Sequence, residues 1–260
     1  MRQRLVNSLL VLCACALGGC GSLVSSVSHK GKVSSSIQAT NAAVDLDIST
    51  KNGNVTVNRD SNSDEIVLEI SLTAGGATQQ EAKTRYDAAM KSAKAILNNG
   101  TLSVQLKFPQ PRYGNDGADI TLVLPQIKGA SVRTSNGDVA IDSAKGDIAI
   151  NTSNGEVTIS KCTGKINVDT SNGDVDVELL DSATGPVTIN TSNSSVSLSV
   201  GSAFAGSITM STSNSGVTLV DPGKRAKSSS IDDSDGSIDL GKGPKSIIDT
   251  SNGPITVTLR

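Results

Sequence analysis

The chain has 260 residues, with 23 Lys and Arg against 25 Asp and Glu, and it carries no Trp, two Tyr and two Phe. A formal charge of −2 leaves no basic stripe of the kind a nucleic-acid footprint needs. An interior without large rings must be filled by Val, Ile and Leu, which suits thin stacked layers better than one thick core.

Residues 1–19 read as an export signal. Arg2 and Arg4 give the charged start, and residues 5–17 are mostly apolar but shorter than the roughly 20 residues of a spanning helix. The segment ends in Leu17-Gly18-Gly19-Cys20. This resembles a bacterial lipobox. The resemblance implies cleavage before Cys20, diacylglycerol on its sulfur and a further acyl chain, such as palmitate, on the new amine. Gly21 after the cysteine implies, by the same resemblance, the outer membrane of a Gram-negative cell. Buried acyl chains contribute about 0.8 kcal/mol per methylene, so such a chain is held on the membrane without crossing it. Loss of Arg2 and Arg4 leaves 21 bases against 25 acids. Cys13 and Cys15 leave with the signal and Cys20 carries lipid, so Cys162 is the one remaining thiol and no intrachain disulfide is expected.

Residues 20–36, rich in Ser, Gly and Lys, are expected to be a lipidated flexible tether. Residues 37–128 read as a β-rich region with one helix. Segments 43–49, 54–58 and 65–72 alternate apolar and polar residues, as half-buried strands do. Thr78 to Glu81 has capping-box spacing, Tyr86, Met90, Ala93 and Leu97 follow at helical intervals, and Asn98-Asn99-Gly100 supplies a stop. The spacing predicts a helix over about 78–97. Segments 101–107 and 120–124 read as two more strands.

Residues 129–260 are repetitive. Thr-Ser-Asn-Gly begins at Thr134, Thr152, Thr170 and Thr250, with variants at Thr191, Thr212 and Asp233. Each copy is followed by an apolar pair separated by one residue, from Val139/Ile141 to Val217/Leu219, Ile238/Leu240 and Ile255/Val257. A second strand with its own pair lies between copies, and it weakens to Ser229/Ile231 and Ser246/Ile248. Side chains two apart on a strand face the same way, and one such repeat buries its apolar face only by stacking on neighbours. A two-sheet β-solenoid of about seven coils is expected. Asn and Gly at each corner suggest a turn with left-handed backbone angles. In register, Asn136, Asn154, Asn172, Asn193, Asn214 and Asn252 would form a ladder of amides. The last strand would leave an open edge at 255–260, beside Pro254, where a partner strand could dock.

Leu122-Val123-Leu124-Pro125, then Val132-Arg133-Thr134-Ser135-Asn136-Gly137-Asp138-Val139, is similar to the bacterial "putative adhesin" family, whose β-solenoid domains are related to GIN-type adhesin heads. The resemblance covers most of residues 40–260 and implies a β-solenoid exposed in the envelope. Ser194, Ser215 and the Asp233 corner depart from the family pattern.

Sites of chemistry are sparse. His29 falls in the expected tether, far from a nucleophile, and Cys162 beside Thr163-Gly164 reads as an inert corner thiol. Asp138, Glu156 and Asp174 occupy one position in three successive copies. Their carboxylates would lie about 5 Å apart and are weak candidates for Ca²⁺, set against a simple solvated acidic edge. Asp232, Asp233 and Asp235 cluster but fall on a corner. The Thr column is better explained by corner hydrogen bonding than by an ice-binding face. These features point to a non-enzymatic, cofactor-free, lipid-anchored envelope protein that presents a β-solenoid for adhesion or scaffolding. Its partners would be the membrane and an envelope protein or glycan, with nucleic acid excluded. Binding or cleavage of a cell-envelope polysaccharide is the alternative, and envelope-stress sensing through a partner protein the second.

Overall fold

The computed structural model describes residues 27–38 and 43–260. The export signal, Cys20 and residues 21–26 lie outside the described residues. Four strands and a helix come first: β1 (Val27–Gln38), β2 (Val44–Ser49), β3 (Val55–Arg59), β4 (Glu65–Gly76) and α1 (Gln79–Ser92). Next are β5 (Lys94–Asn98), β6 (Thr101–Gln105), β7 (Gly117–Leu124), β8 (Ile127–Arg133) and β9 (Val139–Asp142). Then follow β10 (Ile148–Asn151), β11 (Val157–Cys162), β12 (Ile166–Asp169), β13 (Val175–Leu179), β14 (Val187–Asn190) and β15 (Val196–Val200). The last are β16 (Ser207–Thr212), β17 (Val217–Val220), β18 (Ser228–Ile231), β19 (Asp235–Asp239), β20 (Lys245–Thr250) and β21 (Ile255–Leu259).

The strands form two facing sheets, mainly parallel. Sheet A runs β1-β4-β7-β3-β9-β11-β13-β15-β21-β17, and sheet B runs β18-β19-β16-β20-β14-β12-β10-β8-β2-β6-β5. At about 4.8 Å per strand the stack is roughly 45 Å long. Each coil gives one strand to each sheet. The apolar pairs meet in register, as in Val139, Val157, Val175 and Val196 on sheet A and Ala130, Ile148, Ile166 and Val187 on sheet B. Nearly all of these side chains are buried, so the periodic doublets of the sequence are the core.

Both sheets continue past residue 129 into the N-terminal region. There the β2–β3 coil stacks on β8–β9, and β6–β7 stacks on β2–β3. Beyond β7, sheet A is completed by antiparallel β4 and β1. Helix α1 packs against both and closes that end of the core. Thr78 Oγ1 accepts from Glu81 N at 3.2 Å, and Glu81 Oε2 accepts from Ala77 N at 2.9 Å. The capping box therefore reaches one residue further back than its spacing suggests.

Four expectations are corrected. Val27–Gln38, read largely as tether, is an edge strand, with Val33, Ser35 and Ile37 facing Ile70, Leu68 and Ile66 of β4. The helix stops at Ser92 rather than near 97, because Ala93 is extended at φ −63, ψ 123. Lys94–Asn98 is instead a strand paired with β6. Asn99 and Gly100, at φ 49 and 78, make the two-residue turn of an Asn-Gly hairpin, which requires a strand on both sides.

The third correction concerns the order of the stack. Coil β20–β21 lies between β14–β15 and β16–β17. Residues 255–259 are therefore an interior strand, and the edge expected there is on β17. Ser246, which weakens the apolar pair of this coil, is fully buried, and its hydroxyl accepts from Val187 N at 3.0 Å. Fourth, the Asp233 copy is no coil. Residues 228–239 fold as an antiparallel hairpin on β16, leaving six coils in 127–259. All four residues of β18 are exposed, so this strand has no inward face to stack. Gly236 leaves room for Met210, Val217 and Ile231 to close over the core.

Candidate functional site

The corner residues carry the most regular side-chain chemistry of the molecule. Along the stack, Asn136 Nδ2 donates to Asn52 Oδ1 at 2.6 Å and Asn154 to Asn136 at 2.7 Å. Asn172 donates to Asn154 at 2.8 Å, Asn193 to Asn172 at 2.7 Å, Asn252 to Asn193 at 2.6 Å and Asn214 to Asn252 at 2.7 Å. The six amides singled out in the sequence stand in one ladder, in stacking order rather than chain order. Asn52 extends it by one rung. Its copy reads Thr50-Lys51-Asn52-Gly53, so a search that let the second position vary would have found it.

Beside this ladder the corner threonines are buried. Thr134, Thr152 and Thr212 donate to the carbonyls of Gly53, Gly137 and Gly253 at 3.3, 3.4 and 3.0 Å. The corner glycines serve close approach. Gly137, Gly155 and Gly173 do not have positive φ, contrary to the left-handed turn expected, yet a Cβ on each would overlap the corner-glycine carbonyl of the adjacent coil.

The acidic column has work of its own. Asp138 Oδ1 accepts from Glu156 N at 3.0 Å, and Asp174 Oδ1 accepts from Ser195 N at 3.0 Å. Asn54 serves Asp138 N, and Asp119 serves Asn54 N, each at 2.9 Å. These side chains satisfy backbone donors at the start of sheet A strands, where the main-chain ladder has not begun. Pro254 stands in the same column, where it has no N–H to be served. Among the described residues no group of three or more His, Cys, Asp or Glu is placed to hold a metal ion.

Cys162 is buried. Its sulfur accepts from Ala144 N at 3.3 Å and lies 3.2 Å from the Ser160 carbonyl. Burial pushes the thiol up to about 11, so almost none is thiolate at neutral pH. His29 packs edge-on against Tyr86, with ring centres 4.7 Å apart, so it is fixed in β1 rather than loose in a tether. Asp232, Asp233 and Asp235 sit at the turn of the β18–β19 hairpin, beside an open pocket at the end of the core with Gly216, Val217 and Ile231.

A polar cluster that sequence reasoning missed fastens the α1 end. Arg85 and Asp116 form an ion pair at 2.6 Å, with side chains 6% and 0% exposed. Arg85 Nε donates to Gly75 O at 2.7 Å, and Asp116 accepts from Gly75 N and Tyr113 N at 2.9 and 3.0 Å. The Arg85 guanidinium lies over the Tyr113 ring, 4.7 Å from its centre, and the Tyr113 hydroxyl donates to Glu81 Oε1 at 2.9 Å. The Ala77 N–H and that hydroxyl hold the Glu81 carboxyl below its ordinary value. The available signal was Arg85 itself, between Ala82 and Ala89 on the inward face of α1. A charge there needs a buried partner.

The opposite end is tied differently. Arg225 donates to the carbonyls of Val200, Ser202, Phe204 and Arg260 at 2.8–3.4 Å. It joins the crossover between β15 and β16 to the intercalated last coil. Asp221 orients this loop by accepting from Ala226 N and Arg225 N, and those bonds hold its carboxyl below the ordinary range.

The outer face of sheet B carries an open groove of about 620 Å³ across β2, β8, β10 and β12. Gly129, Ser131 and Ala149 make a shallow floor, and Asp45, Asp47 and Asn167 line it with polar groups. Lys128 and Arg133 bridge to Asp45 and Asp47 at 2.7 and 3.4 Å.

No helix among the described residues is long and apolar enough to cross a membrane. No protein-family profile matches the chain, and no curated protein sequence matches it. Among solved structures, the chain is similar to a "putative cell adhesion protein" from Clostridium sporogenes, at 11% identity and a TM-score of 0.46, over 89% of this chain and 100% of that one. A "putative adhesin" from Bacteroides fragilis matches at 14% identity and a TM-score of 0.32, over 87% of this chain and 96% of that one. A "putative lipid binding protein" from Parabacteroides distasonis matches at 11% identity and a TM-score of 0.32, over 88% of this chain and 96% of that one.

Proposed function

We propose that this is a lipid-anchored, non-enzymatic envelope protein whose β-solenoid serves as a stiff surface for adhesion or scaffolding. The observation that carries the reading is the use made of the reactive side chains. The Cys162 sulfur, the carboxylates of Asp138 and Asp174 and the corner amides are each engaged in holding one coil on the next. Chemistry-bearing residues spent on the stack leave a rigid object with two long polar faces, which suits presentation rather than turnover. The lipobox residues Leu17 to Cys20 support tethering of that object to a membrane, and Gly21 supports the outer one.

The groove on sheet B favours a second reading, binding of a cell-envelope polysaccharide. Its Asp and Asn side chains offer the hydrogen-bond partners that sugar hydroxyls use. Purified chain tested on arrayed envelope glycans, with reducing ends assayed in parallel, separates the two. Retention on a glycan without release of reducing ends is expected if the groove binds. Release of reducing ends by the wild-type chain would overturn the non-enzymatic assignment.

A further inference from the structure

We propose that the end of the stack formed by the C-terminus of α1, β5 and the residues after β6 is the face that rests on the membrane, against anionic phospholipid headgroups. The inference rests on lipidation of Cys20.

Charge is the first observation. Residues 77–114, which build this end, hold six Lys and Arg against two Asp and Glu, whereas the coils of 129–200 hold four against nine. The α1 end thus carries an excess of base where the neighbouring coils carry an excess of acid. Two of the six bases are committed, Arg85 to Asp116 and Lys83 to Asp87. Lys91, Lys94 and Lys107 are exposed and, among the described residues, make no ion pair within 4 Å.

Geometry gathers these three. Ser92 Oγ donates to Lys107 O at 2.9 Å and accepts from Lys107 N at 2.8 Å, which holds residue 107 against the helix end. Lys94 pairs with Gln105, two residues before Lys107. The helix macrodipole accounts for a cation at Lys91, but Lys94 and Lys107 lie outside the helix. Ile96, 41% exposed, shares the outward face of β5 with Lys94, so an apolar side chain stands among the cations. That pairing suits a headgroup region, where ammonium groups meet phosphate and an aliphatic chain enters the boundary.

The chain's own path supplies the third observation. Val27 begins β1, which flanks α1 at this end of the stack. Seven residue steps separate it from Cys20 and span at most about 25 Å, against a stack of roughly 45 Å. A lipid on Cys20 therefore holds the α1 end near the bilayer and keeps the β18–β19 hairpin at the far end.

The test uses the acylated chain purified from membranes and reconstituted into vesicles of phosphatidylcholine, alone or mixed with phosphatidylglycerol. A fluorophore is attached through Ile96→Cys or, at the opposite end, Val220→Cys, and a quencher is carried on the lipid headgroup. Strong quenching at position 96, little at 220, and a rise with phosphatidylglycerol are expected. Each Lys near an anionic surface contributes about five-fold to the occupancy of contact. Combined Lys91→Glu, Lys94→Glu and Lys107→Glu should therefore abolish the dependence on phosphatidylglycerol while leaving the thermal transition in place. Equal quenching at both ends, or no response to phosphatidylglycerol, overturns the assignment. So does protection of position 96 by self-association without vesicles, which would assign this face to a second copy of the chain. The mass of the Cys20 peptide reports the anchor separately. If Cys20 is unacylated the anchor fails, and co-sedimentation of the free chain with the same vesicles still decides the face.

Discussion

The central coils and the two ends obey different rules. From β8 to β15 the chain lays each coil on the one before it. At both ends that order breaks: β6–β7 stacks outside β2–β3, and β20–β21 slips inside β16–β17. The corner motif thus specifies how a coil is made and leaves open which coil becomes its neighbour. Any coil with Thr, Asn and a doublet of β-branched residues presents the same edge, and one such edge accepts another. Neighbours are chosen by what lies between copies. The β18–β19 hairpin stays on β16 because its antiparallel strands bury Ile238 on sheet B, and the last coil then fills the remaining gap. The ends also differ from one another, one fastened by a buried ion pair and the other by an arginine spread over four carbonyls.

The largest effect is expected where the first of those ends is held. Arg85→Ala leaves Asp116 charged and fully buried, a loss of about 3–5 kcal/mol that denaturant titration would register. A loss below about 1 kcal/mol would mean that the ion pair is peripheral to the end's stability. Next comes the central stack. Gly155→Ala sets a methyl against the Gly137 carbonyl, which cannot move without shifting a coil, and should cost about 3 kcal/mol. Gly114→Ala, with open space around it, should stay within about 0.5 kcal/mol. Equal effects would mean that the corners yield.

The order of the stack is tested at two register partners. Val257 on β21 is fully buried, whereas Leu219 opposite it on β17 is half-buried. Val257→Ala should cost about 2 kcal/mol and Leu219→Ala about 1, whereas a stack in chain order would bury Leu219 fully and raise its cost above that of Val257→Ala. The smallest effect appears only in alkali. The folded thiol of Cys162 is raised from 9.0 to about 11, so its contribution is complete below pH 9 and fades as pH rises through 11. Wild type should lose roughly 2 kcal/mol more than Cys162→Ala between neutral pH and pH 11. Parallel pH profiles of the two would show that burial of the thiol has been overstated.

Much of the middle was legible in the sequence because its signals are local. The period-two doublets, the corner triplets and the amide column each repeat within a coil, and their packing follows from alternation alone. What escaped had its cause elsewhere in the chain. β1 alternates Val27, His29, Gly31, Val33, Ser35 and Ile37 toward the core side. Three of those six are polar or glycine, so composition hid a period of two. Gly31 is there because the Tyr86 hydroxyl lies against it, a fact of the helix and not of the strand. The Asn98-Asn99-Gly100 run stops helices and turns hairpins, and only the pairing of β5 with β6 decides between them. The corner glycines answer to the next layer of the stack, whose carbonyl forbids a Cβ that their own backbone angles would permit. Asp116 carried no periodic signal in its loop, and Arg85 had no visible partner until α1 was folded over β4.

The intercalated last coil bears on how the protein is made. Synthesis delivers β14 to β19 before β20 and β21, so a chain that packs in the observed order as it emerges would hold a slot one coil wide between two parallel edges. β20 and β21 fill it, and Arg225 then ties residue 260 to the crossover beside it. A polypeptide cut short anywhere before residue 245 would keep that slot open and offer bare strand edges to proteases and to other chains. Occupation of that slot therefore reports that the chain has been made at least through β21.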